Sequence, residues 1–393
     1  MTRREVYEAW TQRASTDLSR EAPTHARDRG GMVTQAATGS WRAAATRVDL
    51  SREMFRSSAG WSARSKDSSA WIGHRFARLC LLEDPTGARV LFAVVEHLAG
   101  SRWLSEGLGL RLGAVGLDVA RVFLACTHTH GAAGSMFGDH FYDSFASGLT
   151  ERFDALGTAW MEDRLVAAVQ SLPAALEDVT IGSGEGLLPH GLLFQRAVGP
   201  YLAQFGNPAS MSDAQVTQHS QRAHVAGWEP ANVPGGAVEE ASLRAVDPRV
   251  PVWTVRRLDG SLLFAAGTVH ATGSLLQVGA EALSSDVLGV AALRLEERLR
   301  PVGRADVVVA LAAGAHGDAN VSSPGQRTQQ VLDARAGKRR SAETQGRVAL
   351  RYMLHSGRIV ADAVEAAMSS DTPTGAVAIE LRFAEAFAAG AEL

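Results

Sequence analysis

The chain has 393 residues, 46% hydrophobic and 21% charged, which excludes wholesale disorder and fits two or three domains or one large α/β domain. Thirty-nine Lys and Arg against 42 Asp and Glu leave a formal charge of −3, so holding a nucleic acid is not its main business. Two cysteines, Cys80 and Cys126, exclude a disulfide framework and a cysteine-built zinc site, and no run reaches the ~18 apolar residues of a membrane span.

Residues 1–40 are polar and read as a flexible leader, with at most a short helix at 6–10. No apolar stretch follows the first charges as in a secretion signal, so a cytoplasmic location with reduced thiols is expected. One large domain is expected over 41–393. Strands are predicted at 43–50 and 76–82, and the apolar run RVLFAVVE at 89–96 suits a strand buried on both faces. A helix is predicted at 104–112. The strand at 121–126 stops at Thr127-His128-Thr129-His130-Gly131. A helix at 162–172 and strands at 179–182, 250–256 and 262–269 follow. An amphipathic helix at 285–300, a buried strand at 306–312, a long helix at 345–368 and a strand at 376–383 complete the pattern. Residues 196–244 are polar, with Pro208, Pro230 and Pro234, and read as a long functional loop. No internal repeat is visible. The alternation predicts an α/β fold in which helices cover a largely buried sheet.

Three polar clusters each follow an apolar strand: Thr127 to His130, then His270, then the segment Gly314-Ala315-His316-Gly317-Asp318-Ala319-Asn320. Sites in α/β sheets form beyond the carboxyl ends of strands. If the three strands are parallel neighbours, the clusters share one pocket. In extended backbone His128 and His130 face the same side. Imidazoles with the Asp318 carboxylate form a set that suits zinc. Each cluster also has a plain alternative: a lone His-x-His, a core His270, or an Asp318 that only caps a turn. Glu96-His97 is a fourth strand end, either a partner that orients a metal ligand or a buried structural pair, and the structural reading is preferred. Asp139-His140 follows the histidine pair and reads as solvated. Gly-x-Ser-x-Gly, Walker and dinucleotide-binding signatures are absent, which disfavours a serine hydrolase, a P-loop NTPase and a nicotinamide enzyme.

VFLACTHTHGAAG resembles the Thr-His-Thr-His segment of the neutral, non-lysosomal ceramidase family. AATRVDL, the segment from Gly73 to Gly100, Leu193-Phe194-Gln195-Arg196, the strand pair ending at His270, the helix start around Asp286 and GAHGDANVSSP follow in the family's order. The resemblance runs from about Trp41 to about Met368. It implies a catalytic domain with a mixed sheet between helices and one zinc ion. It implies His128 and His270 as zinc ligands, His130 as a catalytic or substrate-contacting residue, and Arg196 as the cation that holds the substrate or its oxyanion. Asp318 is the family's loop aspartate. The family takes a Glu and a Tyr ligand from further downstream, and Glu385 is the nearest counterpart here. Departures are Gly131 where a Pro is expected and Gln195 for Asn. The implied activity is hydrolysis of an amide bond in an N-acyl, ceramide-like lipid or small molecule, hence a place in sphingolipid chemistry. Two other readings are a binding protein with a degraded metal site and a metallo-esterase or phosphatase on the same scaffold.

Overall fold

The computed structural model describes residues 27–28, 40–51, 59, 68, 70–136, 153–196, 198–220, 237–275, 282–300, 307–317, 319–321, 342–370, 372–373 and 384–385. Eight strands form the main sheet: β1 (Trp41–Asp49), β2 (Phe76–Glu83), β3 (Arg89–Val95), β4 (Val122–Cys126), β5 (Glu177–Leu187), β6 (Arg249–Arg257), β7 (Leu262–Val269) and β8 (Val308–Ala313). Their order is β8-β7-β6-β5-β1-β2-β3-β4, and Thr372–Pro373 adds a ninth, two-residue strand against β5. The outer pairs β3–β4 and β7–β8 are parallel, and all others are antiparallel. Four helices pack on the sheet: α1 (Arg102–Arg111), α2 (Ala155–Ser171), α3 (Asp286–Leu299) and α4 (Ala342–Ser369). The fold is the expected mixed α/β arrangement.

The side-chain alternation shows how the layers stack. Leu79 and Leu81 of β2 and Leu91, Ala93 and Val95 of β3 face α1 and α2 through Leu104, Leu108, Leu165 and Val169. Val309 and Leu311 of β8 face α3 and α4 through Val287, Leu295, Val360 and Val364. The intervening residues, including Cys80, Leu82, Val90, Val94, Val308, Ala310 and Ala312, form a third, inner cluster. A period-two strand with both faces apolar is buried on both sides. The sheet therefore folds over on itself, and β8 passes within 8 Å (Cα–Cα) of β1, β2, β3 and β4. Small side chains such as Ala43, Ala266, Ala310 and Ala312 permit that approach, while Phe92, Trp253 and Phe264 fill the joint edge to face. The layers run helix, half-sheet, half-sheet, helix.

The two halves share a connectivity. The path β1-β2-β3-α1-β4-α2 is repeated by β5-β6-β7-α3-β8-α4, and β1 and β5 meet antiparallel at the centre. Strand ends match as well. The Thr127 N–H donates to Val95 as the Gly314 N–H donates to Val269, and the His97 N–H bonds Val95 as the Ala271 N–H bonds Val269. This corrects the expectation of no internal repeat. Pairing and crossover recur while side-chain identity does not, so the repeat is invisible to sequence matching.

Two further expectations change. Helix α2 begins at Ala155 rather than 162 because the Asp154 carboxylate caps it, accepting from the Gly157 N–H. The described parts of 196–244 hold short helices at Val198–Ala203, Asp213–Ser220 and Ala237–Arg244, gathered around Tyr201, Leu202, Val216 and Ala241. The leader 1–40 lies outside the described residues apart from Ser40 and Arg27–Asp28, whose backbone pairs with Ala384–Glu385. The predicted helix at 6–10 and strand at 376–383 lie outside them too.

Candidate functional site

Four strand ends meet where the half-sheets join. They are Glu96–Leu98 after β3, Thr127–Gly131 after β4, His270–Gly273 after β7 and Gly314–Gly317 after β8. Backbone contacts lace them together. Thr129 bridges Gly273, Thr272 bridges Asn320, the His130 N–H donates to the Gly273 carbonyl at 2.9 Å, and the Ser284 N–H donates to Gly131 at 2.8 Å. The Thr129 hydroxyl donates to the Ser284 carbonyl at 3.1 Å. The expected convergence is therefore found, but not as parallel neighbours. Strand β4 is the edge opposite β8, and only the folding-over of the sheet brings their ends together.

The histidine pair also meets by another route than extended backbone. His128 has φ 52°, in the left-handed region, so the i, i+2 rule does not apply. Its ring nevertheless lies 5.2 Å from that of His130, centroid to centroid. The ring of His316 is nearer still, 4.0 Å from His128 and tilted by 45°. His128 donates from Nδ1 to the Leu98 carbonyl at 2.7 Å, and His316 donates from Nδ1 to the Gly314 carbonyl at 2.6 Å. His270 is bonded in the opposite sense: its Nδ1 accepts the Ala315 N–H at 3.1 Å. Arg196 is exposed and its Nε donates to the Gly317 carbonyl at 3.0 Å, with a second nitrogen on the same oxygen.

Burial, then the neighbouring His316 and Arg196, push the His128 imidazole down to about 4 against the Leu98 bond. Burial, His128 and Arg196 push His130 to about 3, opposed by a backbone bond to Ala59. Both rings are neutral at physiological pH, the form in which imidazole takes a metal or a proton. Behind the site, Arg78 is buried between Glu96 and Glu296, at 2.6 Å from the latter. Glu96 accepts the Phe76 N–H and Glu296 the Val309 N–H, so both carboxylates are committed to this buried network.

Of the predicted site residues, His128, His130 and Arg196 come together, and His270 joins them through the 314–317 loop. Asp318, Asp139, His140 and the Glu385 side chain lie outside the described residues. His316 stood in the third cluster without a role, because Asp318 beside it has the more familiar ligand chemistry. Among the described residues no three His, Cys, Asp or Glu side chains are arranged to hold a metal as they stand. Their chemistry still suits one: two imidazoles present Nε2 with Nδ1 tied to a carbonyl, the usual state of a ligating histidine.

No protein-family model and no curated protein matches the chain. Among solved structures it is similar to neutral ceramidase from Pseudomonas aeruginosa, with a TM-score of 0.62 and 16% identity over 86% of this chain and 46% of that one. It is similar in the same degree to a ceramidase complexed with C2, covering 86% of this chain and 45% of that one. The fold is ceramidase-like, and the chain spans less than half the length of those proteins. No helix of the described residues is long and apolar enough to cross a membrane.

Proposed function

We propose that this chain is a zinc-dependent hydrolase that cleaves the amide bond of an N-acyl, ceramide-like substrate. The observation that carries this reading is the meeting of His128, His130 and His316 beside Arg196, at joined strand ends of a ceramidase-like fold. A bound zinc ion would supply Lewis acidity, polarising a carbonyl oxygen and lowering the pKa of water to ~7. His128 would help hold it through Nε2, since its Nδ1–H is fixed on Leu98. His130, whose ring lies 5.2 Å from that of His128, would take a proton from attacking water and return it to the leaving amine. Arg196 brings a positive charge to the rim, where an oxyanion would gain more from it than a neutral carbonyl does.

The likeness to two ceramidases supports an N-acyl lipid as substrate. The lack of three ready ligands among the described residues favours, as the second reading, a protein that binds such a lipid without turning it over. Zinc-loaded full-length chain should release fluorophore from an N-acyl sphingosine reporter and leave ester and phosphoester reporters untouched. Arg196→Ala should slow turnover by about 10²-fold, the scale of losing one oxyanion donor, with little change in melting temperature. Stoichiometric zinc with binding but no turnover would move the conclusion to the second reading. Phosphoester turnover alone would replace the amide assignment.

A further inference from the structure

The structure assigns Ser242 as the positioning residue for Arg196, the link through which the small helices between 198 and 244 hold the cation of the site in place. This inference rests on the role given to Arg196 above and adds the residue that sets its direction.

Arg196 leaves the end of a short ribbon. Leu193–Gln195 pairs antiparallel with Ala319–Val321, with Gln195 opposite Ala319. From there the guanidinium reaches the Gly317 carbonyl, with Nε at 3.0 Å and a second nitrogen on the same oxygen. A long, exposed side chain has much rotamer freedom to lose, so its aim depends on how firmly its Cα is held. That Cα shares one planar peptide unit with the Gln195 carbonyl. Whatever fixes this oxygen fixes the plane and the point from which Arg196 starts.

Ser242 fixes it. Its hydroxyl donates to the Gln195 carbonyl at 2.9 Å, and both residues are 1% exposed, so water does not compete for the bond. Ser242 lies in the helix Ala237–Arg244, which packs against the ribbon. A serine inside a helix often turns its hydroxyl back to the carbonyl four residues earlier. This one reaches across to another element instead. Ala241, about 100° round the helix, faces the small core of Tyr201, Leu202 and Val216. The helix therefore has one face on that core and another on the ribbon. Leu243 and Ala245 are buried too, and a hydroxyl among them would cost stability without its partner. The loop that Arg196 grips is held from its other side, where the Gly314 N–H donates to Val269 and the Ala315 N–H to His270. Ser242, Gln195, Arg196 and Gly317 thus form one line from the helical unit to the His316 loop. Without the hydroxyl the peptide plane is free to turn, and Arg196 loses its hold on Gly317.

The test pairs turnover with amide exchange in full-length protein. Ser242→Ala removes one oxygen and installs the best helix former, so the helix itself is not disturbed. With zinc added it should lower kcat on the N-acyl sphingosine reporter by about tenfold, within the ~10²-fold cost of a 1 Å misplacement. Ser242→Thr keeps the hydroxyl and should restore most of that loss. In the Arg196→Ala background Ser242→Ala should change turnover by less than about twofold, because its effect passes through that guanidinium. Hydrogen exchange over 314–317, measured without substrate, reads the link independently of turnover. Ser242→Ala and Arg196→Ala should each speed it by about tenfold, and the double variant no further. Additive losses of turnover, or unchanged exchange over 314–317 in Ser242→Ala, would overturn the assignment and make Ser242 a core residue only. A general loss of fold counts the same way, since it would add to Arg196→Ala. The expected exchange pattern with no turnover by wild type would strike the hydrolase reading and keep the link.

Discussion

His97 is 3% exposed at the end of β3, and burial, with the charge of Arg75 added, lowers its pKa to about 4. Backbone groups of Ala99 and Ala133 bond the ring but do not offset that. The unfolded chain has a histidine pKa of ~6.5, so between pH 6.5 and 4 it binds a proton that the folded chain refuses. Stability is complete above pH 6.5 and is lost as pH falls through the folded value. The slope from one such group is up to about 1.4 kcal/mol per pH unit. His128 and His130 act with the same sign in metal-free protein. Urea unfolding of metal-free wild type should therefore show stability falling from pH 7 to pH 5. His97→Gln should be less stable at pH 7 but flatter across that range by about one proton. An unchanged slope would mean that the folded ring titrates normally.

At the scale of elements, the loop after β4 fits against Ala282–Ser284 with no room for a side chain. A Cβ on Gly131 would stand 2.7 Å from the Ser284 carbonyl oxygen and 2.8 Å from its nitrogen. Gly131→Ala should cost about 1–3 kcal/mol and weaken metal binding, because the loop carrying His128 and His130 must shift. Gly113, with nothing within 4 Å of its would-be Cβ, is the control, and Gly113→Ala should change neither stability nor binding. Equal melting temperatures for the two variants would show that the loop gives way freely. The glycine's neighbour, Ser284, is distant in the sequence, and this marks where sequence reading stops. Strands and helices were legible, because RVLFAVVE and the 285–300 stripe carry their period in adjacent residues. The histidines after β4 and β7 were legible as strand ends. The nearness of His128 to His316 was not, since it depends on the fold-over of the sheet. The small helices between 198 and 244 were missed because only a few apolar residues, such as Tyr201 and Leu202, signal them.

Across the whole molecule, one buried cation joins the halves. Arg78 of β2 reaches both Glu96, at the end of β3, and Glu296 on α3, and Arg47 of β1 meets Glu296 at 2.5 Å. Flanked by two carboxylates, the Arg78 guanidinium stays charged despite full burial, its pKa raised further above the ordinary arginine value. Breaking such a group leaves unpaired buried charge, which costs about 3–5 kcal/mol. Arg78→Ala should lose stability on that scale in urea unfolding. Adding Glu96→Gln and Glu296→Gln to Arg78→Met should recover most of it, since neutral amides and a thioether carry no stranded charge. A loss below about 1 kcal/mol in the single variant would mean that water reaches the network.

The fold-over of the sheet also orders events in time. Within each half, hairpins such as β2–β3 and β6–β7 close short loops, which is fast and entropically mild. The inner layer joins residues such as Cys80 to Ala310 and must close much of the chain at once, so it forms last. Helices and hairpins can regain their spectroscopic signal while the halves are still apart. The imidazoles of His128 and His316 then belong to separate bodies, and the chain has structure but no site. A ligand that bridged the two loops would act as a latch on the finished molecule, slowing its opening without hastening its assembly.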